Sequence, residues 1–130
     1  MHRLGVFAAQ DIPARKRVIE YLGRKINRRQ LQAAFQKRWA LRSPTAFYFM
    51  RLDRVWALDP ASAGSGAEYI NHSCDPNLDL FKIAGRIWLL SKRKIAEGEE
   101  LSYDYRLQRE TIRVKCRCGS AKCRGTINLA

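Results

Sequence analysis

Four cysteines carry the sharpest chemical signal in the chain. Cys74 stands alone, while Cys116, Cys118 and Cys123 crowd together near the C-terminal end. Thiolates are soft ligands, and four of them match one tetrahedral zinc site with every position filled. The opening residues lack the charged, apolar and small-residue succession of a secretory signal, so an intracellular setting is expected and a disulfide framework is not. A metal held by all four thiolates would tie the C-terminal stretch to the loop around Cys74. The other reading is a set of reactive thiols without metal. Full cysteine ligation excludes a zinc hydrolase, because that chemistry needs a coordination position for water.

A second constellation surrounds Cys74. Asn71-His72-Ser73-Cys74-Asp75-Pro76-Asn77 is too polar for a core segment and too dense in donors for an ordinary loop. His72 could act as a general base, a metal ligand, a clamp on a ligand, or a purely structural side chain. The third constellation is aromatic. Tyr48 lies in Phe47-Tyr48-Phe49-Met50, and Tyr103 and Tyr105 lie in Leu101-Ser102-Tyr103-Asp104-Tyr105. Strand alternation places Tyr103 and Tyr105 on one face. Two phenols there either pack in a core with hydrogen-bond partners or line a narrow channel for a cationic side chain.

These residues need a scaffold, and the pattern supplies a mainly β one with one or two short helices. Residues 18–22 read as a short strand closed by Gly23. Residues 27–39 read as the clear helix: Asn27 caps it, Gln30 completes a capping box, and Leu31, Phe35 and Trp39 share a face expected to reach the core. Residues 47–52 and 55–58 read as a hairpin around the two-residue turn Asp53-Arg54. A second hairpin joins 78–81 to 87–90 through Ala84-Gly85. Residues 101–105 form a last strand after the Glu97-Gly98-Glu99-Glu100 turn. Gly64-Ser65-Gly66-Ala67 reads as a flexible turn leading into the Asn-His loop. The chain's 130 residues suit one domain, and 46% of them are hydrophobic. No apolar run reaches the roughly 18–20 residues a membrane span requires.

Charge narrows the partners without naming one. Lys and Arg number 25 against 12 acids, a formal net charge of +13. Four thiolates on one Zn²⁺ would bring this to about +11. Such an excess points to an acidic partner, whether nucleic acid, an acidic protein surface or an anionic membrane, or simply to a solvated, soluble surface. A substrate that is itself basic would require a local acidic groove, for which Glu68, Asp75 and Asp79 are the candidates.

Taken together, Gly5-Val6-Phe7, Glu20-Tyr21-Leu22-Gly23, Tyr48-Phe49-Met50-Arg51-Leu52-Asp53, Tyr69-Ile70-Asn71-His72-Ser73-Cys74-Asp75-Pro76-Asn77, Gly98-Glu99-Glu100-Leu101-Ser102-Tyr103-Asp104-Tyr105 and Cys116-x-Cys118-x4-Cys123-Arg124-Gly125 resemble the SET-domain protein lysine methyltransferases with a post-SET zinc tail. They occur in that family's order and span nearly the whole chain. The resemblance implies a fold of several small sheets with a C-terminal pseudoknot. It places a SET domain at residues 1–109, with a variable insert at about 25–45, and a post-SET tail at 110–130. It also implies S-adenosylmethionine as cofactor, one structural zinc, and a protein substrate presenting a lysine, histone or histone-like. The location it implies is cytoplasmic in a bacterium and nuclear, on chromatin, in a eukaryote.

Residue by residue, the resemblance implies roles. His2 and Leu4 match the opening loop that touches the cofactor; Asn71 and His72 match the loop that holds its amino-acid and adenine parts. Arg117 matches a position whose backbone lies by the adenine. Tyr48 and Tyr105 match the active-site tyrosines, Tyr48 also meeting the cofactor. Tyr103 matches the Tyr/Phe position that affects how many methyl groups are added, which implies mainly mono-methylation. Cys74, Cys116, Cys118 and Cys123 match the zinc ligands. The chain departs from the pattern at Arg3, where Gly is frequent, at Ser65 for Asn, and at Glu68 for Arg. The implied reaction is attack of a neutral lysine amine on the sulfonium methyl. An amine with an ordinary pKa of about 10.4 must therefore lose its proton, which a dry aromatic channel near a positive sulfonium favours. The competing reading is a non-catalytic, basic, zinc-containing module that binds nucleic acid or a protein tail.

Overall fold

Asn27 caps the single α-helix among the described residues, as its sequence requires. The computed structural model describes residues 5–106 and 114–127. Helix α1 runs Arg28–Ala40, the Asn27 side chain accepts from the Gln30 N–H at 2.9 Å, and Gln30 returns a bond from the Asn27 N–H at 2.8 Å. Both caps satisfy backbone N–H groups that a helix start otherwise leaves orphaned. Lys37 and Arg38 in the last turn suit the negative end of the helix dipole.

The strands are β1 (Arg17–Tyr21), β2 (Arg24–Asn27), β3 (Met50–Arg51), β4 (Trp56–Asp59), β5 (Asn71–His72), β6 (Leu78–Ile83), β7 (Arg86–Ser91) and β8 (Ser102–Tyr103). They form three small sheets, ordered β1-β7-β6, β2-β4-β3 and β5-β8. The chain divides into two compact units. The first comprises Met1–Val18, Tyr69–Leu80 and Leu89–Ala130; the second comprises Ile19–Glu68 and Phe81–Trp88. In the first, Ile70, Leu78, Leu89, Ile95, Leu101, Tyr103 and Ile127 are buried. In the second the core is Tyr21, Ile26, Ala46, Tyr48, Leu52, Ala57, Ala67 and Ile87.

Three local expectations are corrected. The helix face of Leu31, Phe35 and Trp39 does not reach the core: no residue of α1 is buried, and Trp39 is 45% exposed. Phe35 instead stacks on Trp39, with ring centroids 6.0 Å apart. The β3–β4 loop is longer than two residues, spanning 52–55 between the paired Arg51 and Ala57 and the start of β4. Asp53 makes that loop without a glycine, because its Oδ1 accepts from the N–H groups of Val55 and Trp56 at 2.8 and 2.7 Å. The last strand is only Ser102–Tyr103. It ends there because the Tyr105 N–H donates to the His72 ring rather than to a neighbouring carbonyl.

The β6–β7 hairpin follows its pattern. Ala84 and Gly85 have φ of 51° and 76°, the left-handed pair that a two-residue turn between twisted strands demands. In the second unit, the end of α1 is fastened to the end of β4 by a bidentate pair. Arg38 Nη1 and Nη2 donate to Asp59 Oδ1 and Oδ2 at 2.9 and 2.8 Å. Asp59 is buried, and Arg38 holds its carboxyl below the ordinary value of 3.8. A carboxyl depressed in the folded state contributes stability above its unfolded pKa and loses it as pH falls through the folded one. Asp59→Asn is therefore expected to cost about 2 kcal/mol at pH 7. That cost should shrink as pH falls below the ordinary carboxylate range and through the lowered pKa of Asp59. Urea unfolding of wild type and variant at matched pH values checks this; a cost independent of pH excludes the ion pair as its source.

Candidate functional site

The parallel pairing of β5 with β8 sets Asn71 opposite Ser102 and His72 opposite Tyr103. Parallel neighbours cannot be joined by a tight turn, so a long stretch of chain separates them. Asn77 locks the arrangement. Its Nδ2 donates to the Glu100 carbonyl and to Glu99 Oε2, at 2.8 and 3.0 Å, while its Oδ1 accepts from the Ser102 N–H at 2.9 Å. Asn77 is only 3% exposed, and its amide is satisfied at both ends. The Asn71 carboxamide is held by Glu100 Oε2 at 2.9 Å.

His72 is fully buried at its side chain and both ring nitrogens are engaged. Nδ1 lies 3.1 Å from the Tyr105 backbone N, which can only donate, so Nδ1 is the acceptor. Nε2 then carries the proton and points at Cys74 Sγ, 3.3 Å away. Burial lowers the His72 pKa, against the opposing pull of Asp104. Of the roles open to it from sequence, this double engagement displays the structural one. The ring orients Tyr105 and supports the Cys74 sulfur.

Tyr103 and Tyr105 stay together although the strand ends between them, their ring centroids 4.8 Å apart. The edge of the His72 ring meets Tyr105 at 5.4 Å. The Tyr105 hydroxyl donates to the Ile70 carbonyl. Its hydrogen is thereby directed, which orients the phenol. Tyr103 is buried and Tyr105 half-buried. Tyr48 lies in the second unit, where it is buried at the end of a 3₁₀ turn and its carbonyl accepts from the Tyr21 hydroxyl.

The four cysteines come together. Their sulfurs all lie within 4.8 Å of one another, and those of Cys74 and Cys116 are 3.8 Å apart. With zinc–sulfur bonds of about 2.3 Å, a tetrahedral site spaces its sulfurs by about 3.8 Å. The donor set fits a metal ion. Burial pushes the Cys74 thiol up and holds Cys116 up at about 12. At Cys118 burial is outweighed by the backbone N–H groups of Cys74 and Ser120 and by neighbouring thiols, and the group falls to about 6. A pocket that already favours one thiolate is prepared to release the remaining protons to a divalent cation.

Backbone pairing shapes this tail. The Cys116 N–H donates to the Gly125 carbonyl at 3.0 Å and the Ile127 N–H to Val114 at 2.9 Å. Arg124, which was given no role from sequence, joins tail to site. Its guanidinium grips Asp104 with bonds of 2.8 and 2.9 Å and reaches the Ile127 carbonyl at 2.6 Å. Its backbone N–H points at Cys74 Sγ, 3.4 Å away. A bidentate pair with a carboxylate beside a histidine is a signal that becomes visible only once the fold juxtaposes them. Arg117 is exposed between Cys116 and Cys118. His2, Leu4 and Arg3 lie outside the described residues, as does the expected boundary between residues 109 and 110.

The two departures near residue 66 form one local device in the second unit. Glu68 folds its carboxylate onto the Gly66 N–H at 2.9 Å, and Ser65 donates to the Glu20 carbonyl. A Cβ on Gly64 would lie 2.1 Å from Glu68 Oε2, so a side chain there would displace this carboxylate. Glu68 is buried and held in the turn. Among the described residues no helix is long and apolar enough to cross a membrane.

Changing Cys118 to Ser is expected to lower bound zinc from one ion per chain to well below half. It should also loosen the tail, because a structural site supplies folding free energy directly. Elemental analysis of protein purified under reducing conditions measures this. Wild type carrying no zinc, or a variant that retains it fully, refutes a four-cysteine site.

Comparison with known proteins adds an independent line. A family model for the SET domain matches residues 3–106. The chain is 36% identical over 135 residues to the histone-lysine N-methyltransferase, H3 lysine-4 specific, of Chaetomium globosum, covering 98% of this chain and 12% of that protein. It is 36% identical over 132 residues to the histone-lysine N-methyltransferase SETD1B of Homo sapiens, covering 98% and 7%. The chain thus spans only a small part of the length of the curated relatives it matches. The crystal structure of KRYPTONITE in complex with mCHG DNA and SAH superposes with a TM-score of 0.73 at 26% identity, over 95% of this chain and 26% of that one. A KRYPTONITE complex with mCHH DNA, an H3(1-15) peptide and SAH gives 0.74 at 25% identity, over 95% and 27%.

Proposed function

Because the chain belongs to the SET domain family, we propose that it is an S-adenosylmethionine-dependent protein lysine N-methyltransferase acting on a histone H3-type tail. The observation that carries this reading is the Tyr105 phenol. Its hydroxyl donates to the Ile70 carbonyl, its ring is braced by His72 and by Tyr103, and a phenol oxygen so oriented has the chemistry to accept from an amine. The donor set also fits the cofactor: Asn71 offers a carboxamide already oriented by Glu100, and the tyrosine oxygens suit a cationic neighbour. Asn71 and the His72 main chain would hold it from this unit, with His2, Leu4 and Arg117 as further contacts. When bound, S-adenosylmethionine supplies an electrophilic methyl group.

The chain's own residues do the rest. Tyr103 and Tyr105 exclude water from the amine, which lowers the cost of its neutral form relative to its charged one. Tyr105 aligns the amine lone pair by accepting one of its N–H bonds, and positioning of this kind accounts for much of the barrier reduction in group transfer. No side chain need act as a strong base, consistent with a His72 whose ring is fully engaged. The second KRYPTONITE complex holds an H3 peptide, and the curated relatives named above are specific for histone lysine, one of them for H3 lysine 4. On a eukaryotic host that substrate would place the protein on chromatin.

Tyr105→Phe keeps the ring and removes the acceptor. It should lower kcat on an H3 peptide by about 100-fold or more with cofactor affinity little changed. Wild-type turnover in that variant overturns the assignment, and cofactor binding without any methyl transfer by wild type favours a binding module instead. The finer part of the proposal is that mono-methyl-lysine is the main product, because the Tyr103 hydroxyl occupies the volume that a methylated amine needs. Tyr103→Phe should keep activity and move product towards di- and trimethyl-lysine in mass spectra of the peptide. An unchanged product ratio removes Tyr103 as the gate.

A further inference from the structure

Two basic tripeptides far apart in sequence are held side by side on one edge of the first unit. They are Arg15-Lys16-Arg17 and Lys92-Arg93-Lys94, and all six residues are exposed. The fastening is backbone. Ile12 and Ile95 exchange a pair of N–H bonds at 2.8 Å on one side. On the other side Arg15 donates to the Ser91 carbonyl at 2.8 Å and Ser91 donates to the Lys16 carbonyl at 2.9 Å. Ser91, 2% exposed, adds side-chain bonds to the Pro13 carbonyl and the Lys16 N–H at 2.6 and 2.9 Å. Arg15 takes a left-handed φ of 60° inside this frame. The ridge is thus a built feature and not a flexible basic run.

Four carboxylates flank the six cations, among them the exposed Glu97, three positions after Lys94. Glu99 pairs with Arg93, Asp75 also acts on Arg93, and Asp11 accepts from the Glu97 N–H. A surface shaped for solubility alone disperses its charges, whereas here the backbone frame brings two runs of three cations together, Arg93 among them paired with Glu99. The uncharged residues between the anchors are Pro13 and Ala14, so the ridge carries no aromatic or large aliphatic anchor. Protein interfaces depend on such anchors at their centre and are depleted in Lys there, and an anionic leaflet adds only a modest attraction per cation to a patch without apolar insertion. A regular line of phosphates, about one charge per 1.7 Å of duplex axis, requires only cations on a rigid support.

From this we infer that the 15–17 and 92–94 ridge is a docking surface for the phosphodiester backbone of duplex nucleic acid. It is separate from the residues proposed for methyl transfer, and it gives the chain's net positive charge a partner other than the basic tail.

The test uses the zinc-loaded full chain and fluorescein-labelled 20-base-pair duplexes, one DNA and one RNA, titrated by anisotropy from 50 to 200 mM salt. Lys16→Glu/Lys92→Glu/Lys94→Glu is compared with Arg28→Glu/Arg29→Glu/Lys37→Glu on α1, which removes the same charge elsewhere. The ridge variant is expected to bind at least one duplex about 10-fold more weakly than the α1 variant. It should also reduce the slope of log affinity against log salt by about 2 to 3. Equal losses in the two variants, no loss in the ridge variant, or tighter wild-type binding to polyglutamate or anionic vesicles than to either duplex each overturn the inference. Methyl transfer to a free H3 peptide is measured in parallel and should be unchanged in the ridge variant. If the ridge variant melts early, the triple Lys→Gln variant replaces it, with the same outcomes. A wild type that binds duplex through the ridge but transfers no methyl group leaves this inference standing and refutes only the proposed activity.

Discussion

The His72 imidazole is the joint on which the first unit's chemistry depends. One ring nitrogen takes the Tyr105 N–H and the other faces the Cys74 sulfur. A buried ring satisfied at both ends can adopt only one tautomer and one orientation. That single constraint ends β8 after Tyr103, turns Tyr105 out of the ladder, and ties the tyrosine pair to the cysteine cluster. Asp104 extends the joint, since it lies 3.5 Å from His72 Nδ1 and receives the Arg124 guanidinium. The C-terminal tail is therefore anchored twice, by sulfur at Cys74 and by charge at Asp104. Loss of either anchor would be felt at Tyr105 through the same ring.

Polar satisfaction of this kind explains why a strongly basic chain keeps so many structural roles for its few acids. Asp59, Glu20, Glu99 and Asp104 each hold an arginine by two or more contacts. Glu68 is spent on a turn, and Glu100 orients Asn71. The acids thus fasten elements, and the cations left on the surface are available to partners. Bidentate pairing suits this task because the guanidinium fork fixes geometry as well as charge. The arrangement also separates two electrostatic problems. The substrate proposed above is a basic tail held near the tyrosines, whereas Arg15, Lys16, Lys92 and Lys94 are exposed cations on the backbone frame.

Much of the site was legible in the sequence because its signals are local or compositional. The capping box at Asn27 and Gln30 is read within four positions, and the Ala84-Gly85 turn is read from its flanking hydrophobic runs. The cysteines announced themselves by chemistry: few alternatives exist for four thiols in a chain of this kind, and the structure brings their sulfurs together. The motif resemblance predicted a fold of several small sheets, and three are present. The expectations that failed were those in which a local period was extended to a tertiary outcome. Leu31, Phe35 and Trp39 have helical spacing, yet a short basic helix resting on a small sheet buries none of them. The strand through residue 105 has the right alternation, but a side-chain acceptor outcompetes the ladder.

The sequence by itself determined which chemistry this protein can perform, because thiol, phenol, imidazole and carboxamide are properties of residues and their order identifies the family. Tertiary structure alone decided how each group is used. It made His72 a brace between Tyr105 and Cys74, assigned Arg124 to Asp104, bound Glu68 to the Gly66 turn, and set Arg15-Lys16-Arg17 against Lys92-Arg93-Lys94. The reason is physical. A side chain's reactivity is intrinsic, whereas its protonation, exposure and hydrogen-bond partners depend on groups many positions away, which only the folded backbone brings within a few ångströms.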